Sequence, residues 1–514
     1  MRSLIIHGHF YQPPRENPWT GEIDLEPDAA PFHDWNERVH AECYASNAAV
    51  RVQTDKGSEQ IVNNYGRLSF DFGPTLLSWL ERQHPDTYAR IIAADAESVA
   101  RFQGHGNGIA QAYNHAILPL CNERDRLTQI RWGLGDFRYR FGREPEAMWL
   151  PETAANDEVL DSLIDHGMRF VILAPQQAAR TRDTRRPSAG WQDITKNGID
   201  TTVPYLRYHR DGSGKSLAVF FFDQEIARAI AFEQALSSSA ALAESIALRA
   251  GPNGMVNVAT DGESYGHHHK FGDIGLAHLL QTAAPARGFR VTNYGEYLDH
   301  HPPSVEVEIA DGPTGEGSSW SCTHGVNRWT SDCGCRTGGQ EHWNQAWRKP
   351  LRKALDYLRD ESAAAFAATR GILFVDPWAA RDESIKLVLD QFASREMFLL
   401  QHAPQQLISE KHQGALAFLE MQRNALLMYT SCGWFFNDIG GIEPVQILKY
   451  ACRTIELLAE LGLPSPRQRF LEILAEAKSN RPELGNGADI YRRIVEPTNP
   501  SFNPNRKELA QVTV

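Results

Sequence analysis

The sequence predicts an α/β fold, a (β/α) barrel or a distorted relative of one, followed by a mainly helical C-terminal region. Three observations carry this. Short apolar runs of strand length alternate with longer segments of helical spacing through the first 300 residues. Residues able to do chemistry follow the strands rather than the helices, as they do at the carboxyl ends of barrel strands. After residue 340 helical periodicity takes over.

Taken in order, Ser3 to Ile6 reads as a first buried strand ending at His7-Gly8-His9. The next sixty residues hold Pro13, Pro14, Pro18, Pro27 and Pro31 with Trp19 and Trp35, and read as a long loop anchored by aromatics. Leu68 to Gly73 reads as the second strand, and Pro74 starts a helix through Leu76, Leu77, Trp79 and Leu80. Tyr88 to Phe102 and Leu127 to Phe141 have helical spacing. Ala147 to Leu150 is a strand reaching Glu152, Asn156 to His166 a helix, and Phe170 to Leu173 a strand. Leu217 to Phe222 is a strand ending at Asp223, with a helix after it to about Leu248. Met255 to Ala259 is a strand that runs into Thr260-Asp261-Gly262-Glu263-Ser264-Tyr265-Gly266-His267-His268-His269, and a helix follows near Ile274 to Thr282.

From about 300 the texture changes. Pro302-Pro303 and Asp311 to Gly317 read as a linker-like loop, and a Trp- and Cys-rich segment follows from Ser318 to Cys335. Helices are expected around Leu351 to Leu358, Ala415 to Met428 and Val445 to Leu461. The organisation expected is a catalytic barrel over 1–300, a Trp/Cys-rich segment over 301–340, a helical domain over 341–480 and a polar tail over 481–514.

Composition excludes several classes of function. With 64 acidic against 52 basic residues the formal net charge is -12, which argues against nucleic-acid or anionic-membrane partners and suits a neutral substrate. The apolar run after Met1-Arg2 is too short for a signal-peptide core and no stretch approaches a membrane span, so the protein reads as cytoplasmic. Seven cysteines in 514 residues do not make a disulfide framework.

Two strand-end carboxylates, Glu152 and Asp261, suggest paired nucleophile and acid chemistry. Glycoside hydrolysis needs two carboxyl groups in environments that push their protonation apart. Glu263 competes for the second role, because strand alternation would put 261 and 263 on the same side.

Several short motifs extend this. His7-Gly8-His9 is followed by Gln12-Pro13, Gly106-Asn107-Gly108 leads to His115, Trp149-Leu150-Pro151 precedes Glu152, and Asp261-x-Glu263-x-x-Gly266-His267 closes the series. In these motifs the chain resembles glycoside hydrolase family 57, whose members act on α-glucans. The resemblance is clear over about the first 300 residues and weaker beyond. It departs from the family pattern in two extra residues before Gln12 and in Asn107, where an acidic residue is common. The resemblance implies an incomplete (β/α)7 barrel with a helical domain completing the cleft, and a retaining mechanism. Glu152 would be the nucleophile and Asp261 the acid/base, with carboxyls roughly 5–5.5 Å apart. His7, His9, Gln12, His115, Trp149, Glu263 and His267 would contact substrate or order the site. Trp320 would lie over the sugar, and Trp434 and Asp438 fall in the stretch Ser431 to Asp438 that resembles a late helical motif. The implied partner is an α-glucan or malto-oligosaccharide, and no cofactor is called for.

Two alternatives stay open. One is a metal-dependent, mannosidase- or deacetylase-like enzyme using His7, His9 and Asp261. The other is a non-catalytic glucan-binding protein on the same scaffold. Separately, Cys322, His324, Cys333 and Cys335 could form a zinc clip, although their Cys-x-His and Cys-x-Cys spacings are unlike the usual Cys-x-x-Cys, and reduced, partly buried thiols are the simpler expectation.

Overall fold

A computed structural model describes residues 2–53, 59–186, 188, 190–250, 254–391, 395–405 and 411–499. The chain divides into two units. The first comprises Met1–Gln12, Leu25–Tyr113 and Phe137–Ser321, and the second Pro13–Asp24, Asn114–Asp136 and Cys322–Val514.

The first unit is α/β. Its central strand, Arg2–Phe10, is buried from Ser3 onward and extends the expected run through both histidines. Met255–Asp261 lies parallel to it on one edge. On the other edge it pairs in parallel with Phe289–Val291 at its start and with Ser69–Phe72 at its end. Next come the parallel pair Ala110–Gln111 and Met148–Trp149 and the parallel pair Phe170–Leu173 and Ser216–Phe221. Parallel bridges Phe70–Gly108 and Ala147–Phe170 connect these neighbours. Helices follow the strands as expected, at Pro74–Gln83, Pro85–Arg101, Asp157–Asp165, Gln224–Phe232 and Gly272–His278. Their starts are legible: Pro74 and Pro85 sit in first turns, and Asn156 and Asp223 accept from the backbone N–H groups of the turns they cap.

Three parts of this unit differ from expectation. The stretch from Trp35 is not loop: Trp35–Val39, a π turn at His40–Tyr44 and Ala45–Ala48 form one helical segment, capped where Asp34 accepts from Glu37 N at 3.0 Å. The prolines that suggested a loop all precede it. The expected helix from 224 to 248 is two helices, Gln224–Phe232 and Ser239–Arg249, separated at Gln234, whose φ is 54°. The expected linker after Pro303 contains a strand, Val305–Ile309. Its Val-Glu-Val-Glu-Ile alternation pairs it with Ala178–Asp183, and Arg180 and Arg182 meet Glu308 and Glu306 across the ladder.

The second unit is mainly helical. Arg348–Ala367, His412–Leu427, Ile442–Glu460 and Arg467–Leu474 supply its long helices. Gly433 is required where the short Cys432–Phe435 helix crosses Ile447, since a β-carbon there would lie 2.4 Å from Ile447 Cδ1. Buried Arg381 is held by Asp125 at 2.7 Å, Thr128 at 2.7 Å and Gln422 at 3.2 Å. Of the expected polar tail, residues up to 499 form short turns, with Asn486 and Asp489 making a capping box. Residues 500–514 lie outside the described residues. Among the described residues no helix is long and apolar enough to cross a membrane.

Candidate active site

The site grows from strand register. His7 and His9 fall on one face of the central strand because side chains alternate with a period of two. On one flank they stand opposite Ser69 and Asp71, and on the other opposite Ala259 and Asp261. His9 therefore lies between two carboxylates on neighbouring strands. Asp71 is fully buried and accepts from both rings: Oδ1 from His7 Nε2 at 3.0 Å and Oδ2 from His9 Nδ1 at 2.8 Å. His7 Nδ1 meets the Ser69 hydroxyl at 3.0 Å.

The two imidazoles respond in opposite directions. Desolvation dominates at His7 and lowers its pKa despite Asp71. At His9 desolvation also opposes the charge, but Asp71, helped by Asp261 and Glu263, outweighs it and raises the ring to about 9. The site thus holds one neutral and one cationic imidazole at neutral pH. Trp149 covers both rings, its centroids 4.9 Å from each and 19° from parallel.

Glu152 sits on the turn Pro151–Thr153 after the strand that carries Trp149. It and Thr153 both adopt left-handed backbone, with φ of 58° and 50°. Two consecutive residues of this kind, one of them β-branched, cost on the order of 1–3 kcal/mol each, and such strain collects at functional sites. The turn is clamped by Gln177, which accepts from Thr153 Oγ1 and donates to Thr153 O, both at 2.8 Å. Glu152 Oε2 accepts from Trp320 Nε1 at 2.9 Å and from Ser321 Oγ at 2.7 Å, and Trp320 N donates to the Glu152 carbonyl at 3.1 Å. Both side-chain donors aim at one oxygen, and Oε1 has no hydrogen bond among the described residues.

Asp261 ends the buried Met255–Asp261 strand and is its one exposed residue by surface area. It is nevertheless crowded by protein, and desolvation raises its carboxyl to about 7. His9 pulls the other way, while Glu263, Glu152 and Asp71 push it further up. Gly262 lets the chain turn against the Phe10 ring, which a β-carbon would strike at 2.2 Å. Glu263 does not share Asp261's exposure. It is buried, accepting from Tyr44 Oη at 2.6 Å and Tyr11 N at 3.2 Å, and burial raises its pKa.

The other expected residues are distributed as follows. Gln12 is half-buried at the end of the first unit's opening segment. His267 pairs through Nδ1 with Glu42 and meets Trp35 edge-on. His115 belongs to the second unit, where it is buried with a φ of 54° and its Nδ1 lies 2.6 Å from Ser431 Oγ. Trp434 is a core residue of that unit. It is fully buried, donates to Arg348 O at 3.3 Å, and has the Arg352 guanidinium 4.6 Å from its ring, so it presents no face to a ligand. Asp438 is occupied by Gly440 N at 2.8 Å, Asn480 N at 2.6 Å and the Ser479 hydroxyl at 3.0 Å.

Asp71, Tyr44, Gln111 and Ser321 were missed from sequence. Only Asp71 had a signal there, as a carboxylate between two phenylalanines in a buried strand. Gln111 is buried opposite Trp149 in the ladder, and its amide and the Trp149 indole N–H lack partners among the described residues.

Metal-ligating side chains converge at two places among the described residues, Cys322–His324–Cys333–Cys335 and Glu37–His40–His84. The set His7, His9 and Asp261 is not one of them, and each of the two histidines turns a ring nitrogen to Asp71.

Parallel strands bearing imidazoles and carboxylates at their carboxyl ends define an α/β protein of the strand-end-site class. The particular family follows from comparison. A family model described as Glycosyl hydrolase family 57 matches residues 10–310, more than half of the chain, and the chain belongs to that family. A second model, described only as a domain of unknown function, matches residues 343–508. A 4-alpha-glucanotransferase from Thermococcus litoralis is 22% identical over 260 residues, which is 50% of this chain and 36% of that protein. Matches to two alpha-amylases, from Dictyoglomus thermophilum and Pyrococcus horikoshii, span 15% and 21% of those proteins. The chain therefore aligns with little more than a third, at most, of these curated relatives. Among solved structures, an exo-type maltose-forming amylase from Pyrococcus sp. ST04 has a TM-score of 0.66 at 15% identity, covering 99% of this chain and 94% of that one. A branching enzyme from Pyrococcus horikoshii has a TM-score of 0.53 at 15% identity, covering 96% of each chain. At these identities the likeness is one of fold.

Proposed function

We propose that the protein is a retaining glycoside hydrolase or transglycosylase acting on α-1,4-linked glucans, with Glu152 as nucleophile and Asp261 as acid/base. The observation that carries this is the asymmetry of the two strand-end carboxyls. Asp261 is raised to about 7, so a large fraction of it carries a proton at neutral pH, whereas Glu152 is oriented by two donors at Oε2 that leave Oε1 to attack. Glu152 attacks the anomeric carbon as Asp261 protonates the leaving oxygen. Asp261, now ionised, then takes a proton from water in hydrolysis or from a sugar hydroxyl in transfer, as that oxygen attacks the anomeric carbon and its bond to Glu152 breaks. The buried Gln111 amide and Trp149 N–H, which lack partners among the described residues, are placed to meet sugar hydroxyls. Glu263, buried on Tyr44 and Tyr11, orders the turn after Asp261.

The fold that goes with this function is an incomplete barrel of seven parallel strands. The order Met255–Asp261, Arg2–Phe10, Ser69–Phe72, Ala110–Gln111, Met148–Trp149, Phe170–Leu173, Ser216–Phe221 is supported by the ladders and bridges above. Across the remaining gap Asn257 Nδ2 donates to Phe221 O at 3.0 Å and Asp223 N to Asn257 O at 2.7 Å.

The test is incubation with maltoheptaose and with amylose, with and without chelator, resolving products by chain length. Shorter sugars alone identify hydrolysis, and a ladder in both directions identifies transfer. No change on either glucan, or full activity of Glu152→Gln, overturns the assignment.

A further inference from the structure

Outside the carboxylate site, one cluster has a geometry of its own. Cys322, His324, Cys333 and Cys335 all lie in the second unit, and their donor atoms fall within 4.8 Å of one another. Cys322 Sγ is 3.9 Å from Cys333 Sγ and 3.7 Å from Cys335 Sγ, and Cys335 Sγ is 3.5 Å from His324 Nδ1. These separations are nearly twice a disulfide's S–S bond of about 2.05 Å. They match the edges of a zinc tetrahedron. With Zn–S of about 2.3 Å and Zn–N of about 2.0–2.1 Å, tetrahedral angles place two sulfurs about 3.8 Å apart and a sulfur and a nitrogen about 3.6 Å apart.

We propose that these four residues form a structural zinc site with a closed Cys3His ligand set. The close spacing is made possible by Gly334, whose φ of 82° folds Cys333-Gly334-Cys335 so that both thiols face the same point. Three thiolates and one neutral imidazole around Zn2+ leave a net charge of -1. The neighbouring cation is Arg348, fully buried, whose Nη1 donates to the Cys335 carbonyl at 3.0 Å and so braces the ligand turn from outside the metal's own shell. Four protein ligands leave no position for water or substrate, so the ion holds the segment together and takes no part in chemistry. Three protons leave the thiols as zinc enters, and no redox step is involved. The segment from 322 to 335 contains one short helical turn, Asn327–Trp329, as its only regular element.

The test uses the untagged full chain produced in zinc-replete medium under reducing conditions. Elemental analysis should find about one zinc per chain, falling below about 0.1 in Cys322→Ser and in His324→Ala. Should either variant fail to fold, titration of the wild-type protein with a thiol-blocking organomercurial should release the zinc as three thiols are modified. Cobalt substituted into the wild-type protein should give the intense visible absorption of a tetrahedral thiolate site. Zinc retained in both variants, failure of the wild-type chain to take up Zn2+, or a native disulfide between Cys322 and Cys335 would overturn the proposal.

Discussion

His9 tunes Asp261, and replacing it tests the acid/base assignment directly. The two residues are register partners on adjacent parallel strands, which run about 4.8 Å apart. His9 is the strongest influence holding the Asp261 carboxyl down, and even so burial lifts that carboxyl to about 7. If Asp261 must be protonated to release the leaving group, kcat/KM should break near pH 7 and fall about tenfold per pH unit above it. In His9→Gln the cation disappears while Asp71, Glu152 and Glu263 remain to raise Asp261. A neighbouring opposite charge moves a carboxyl by about 1–3 pH units, and Asp261's exposure to solvent places it at the low end. The alkaline break should therefore move up by about one pH unit. The assay is initial-rate kinetics on maltoheptaose from pH 5 to 9, with circular dichroism confirming the folded state, since leaving a buried acceptor such as Asp71 Oδ2 without its donor costs about 1–3 kcal/mol. An alkaline break that stays in place, or a wild-type profile with no break between pH 6 and 8, would refute the reasoning.

Further outcomes follow from the same geometry. His9 binds its proton more tightly folded than unfolded, its pKa rising from the ordinary 6.5 to about 9. Its stabilising contribution is complete below pH 6.5 and disappears as pH rises through 9, so Tm should decline across that window and decline less in His9→Gln. Trp320→Phe keeps the ring but removes the donor to Glu152 Oε2. Loss of a hydrogen bond to a charged group is worth about 1.5–3 kcal/mol, so kcat/KM should drop on the order of tenfold to a hundredfold, whereas a pure stacking role predicts little change. Trp434→Ala should destabilise the protein by about 3–5 kcal/mol in chemical denaturation, as a core deletion does; a change in KM with unaltered stability would instead make it a substrate contact.

Much of the first unit could be read from the sequence because its signals are local. The run Phe170–Leu173, the proline at the start of Pro74–Gln83 and the Asn156 cap each act within a few residues. The same holds for Glu152 and Asp261, each announced by its strand end and its motif. Val305–Ile309 was hidden because the prolines before it and the glycines after it outweighed a five-residue alternation. The helical segment from Trp35 was hidden in the same way by prolines that end just before it.

The sequence by itself determined the alternation of strands and helices, the two carboxyls and the thiol cluster. Only the tertiary structure decided what each polar group faces. Asp71 became the shared acceptor of His7 and His9 through strand register, and the Trp320 indole N–H became a donor to Glu152. Glu263 became the acceptor of the Tyr44 hydroxyl, from a residue far away in the chain. His115 went to Ser431 in the second unit, and Trp434 went into its core. The physical reason is common to all of them. Hydrogen bonds and desolvation depend on neighbours brought together by pairing and packing, and these set the charge and orientation of a side chain whose identity alone specifies only what it can donate, accept or titrate.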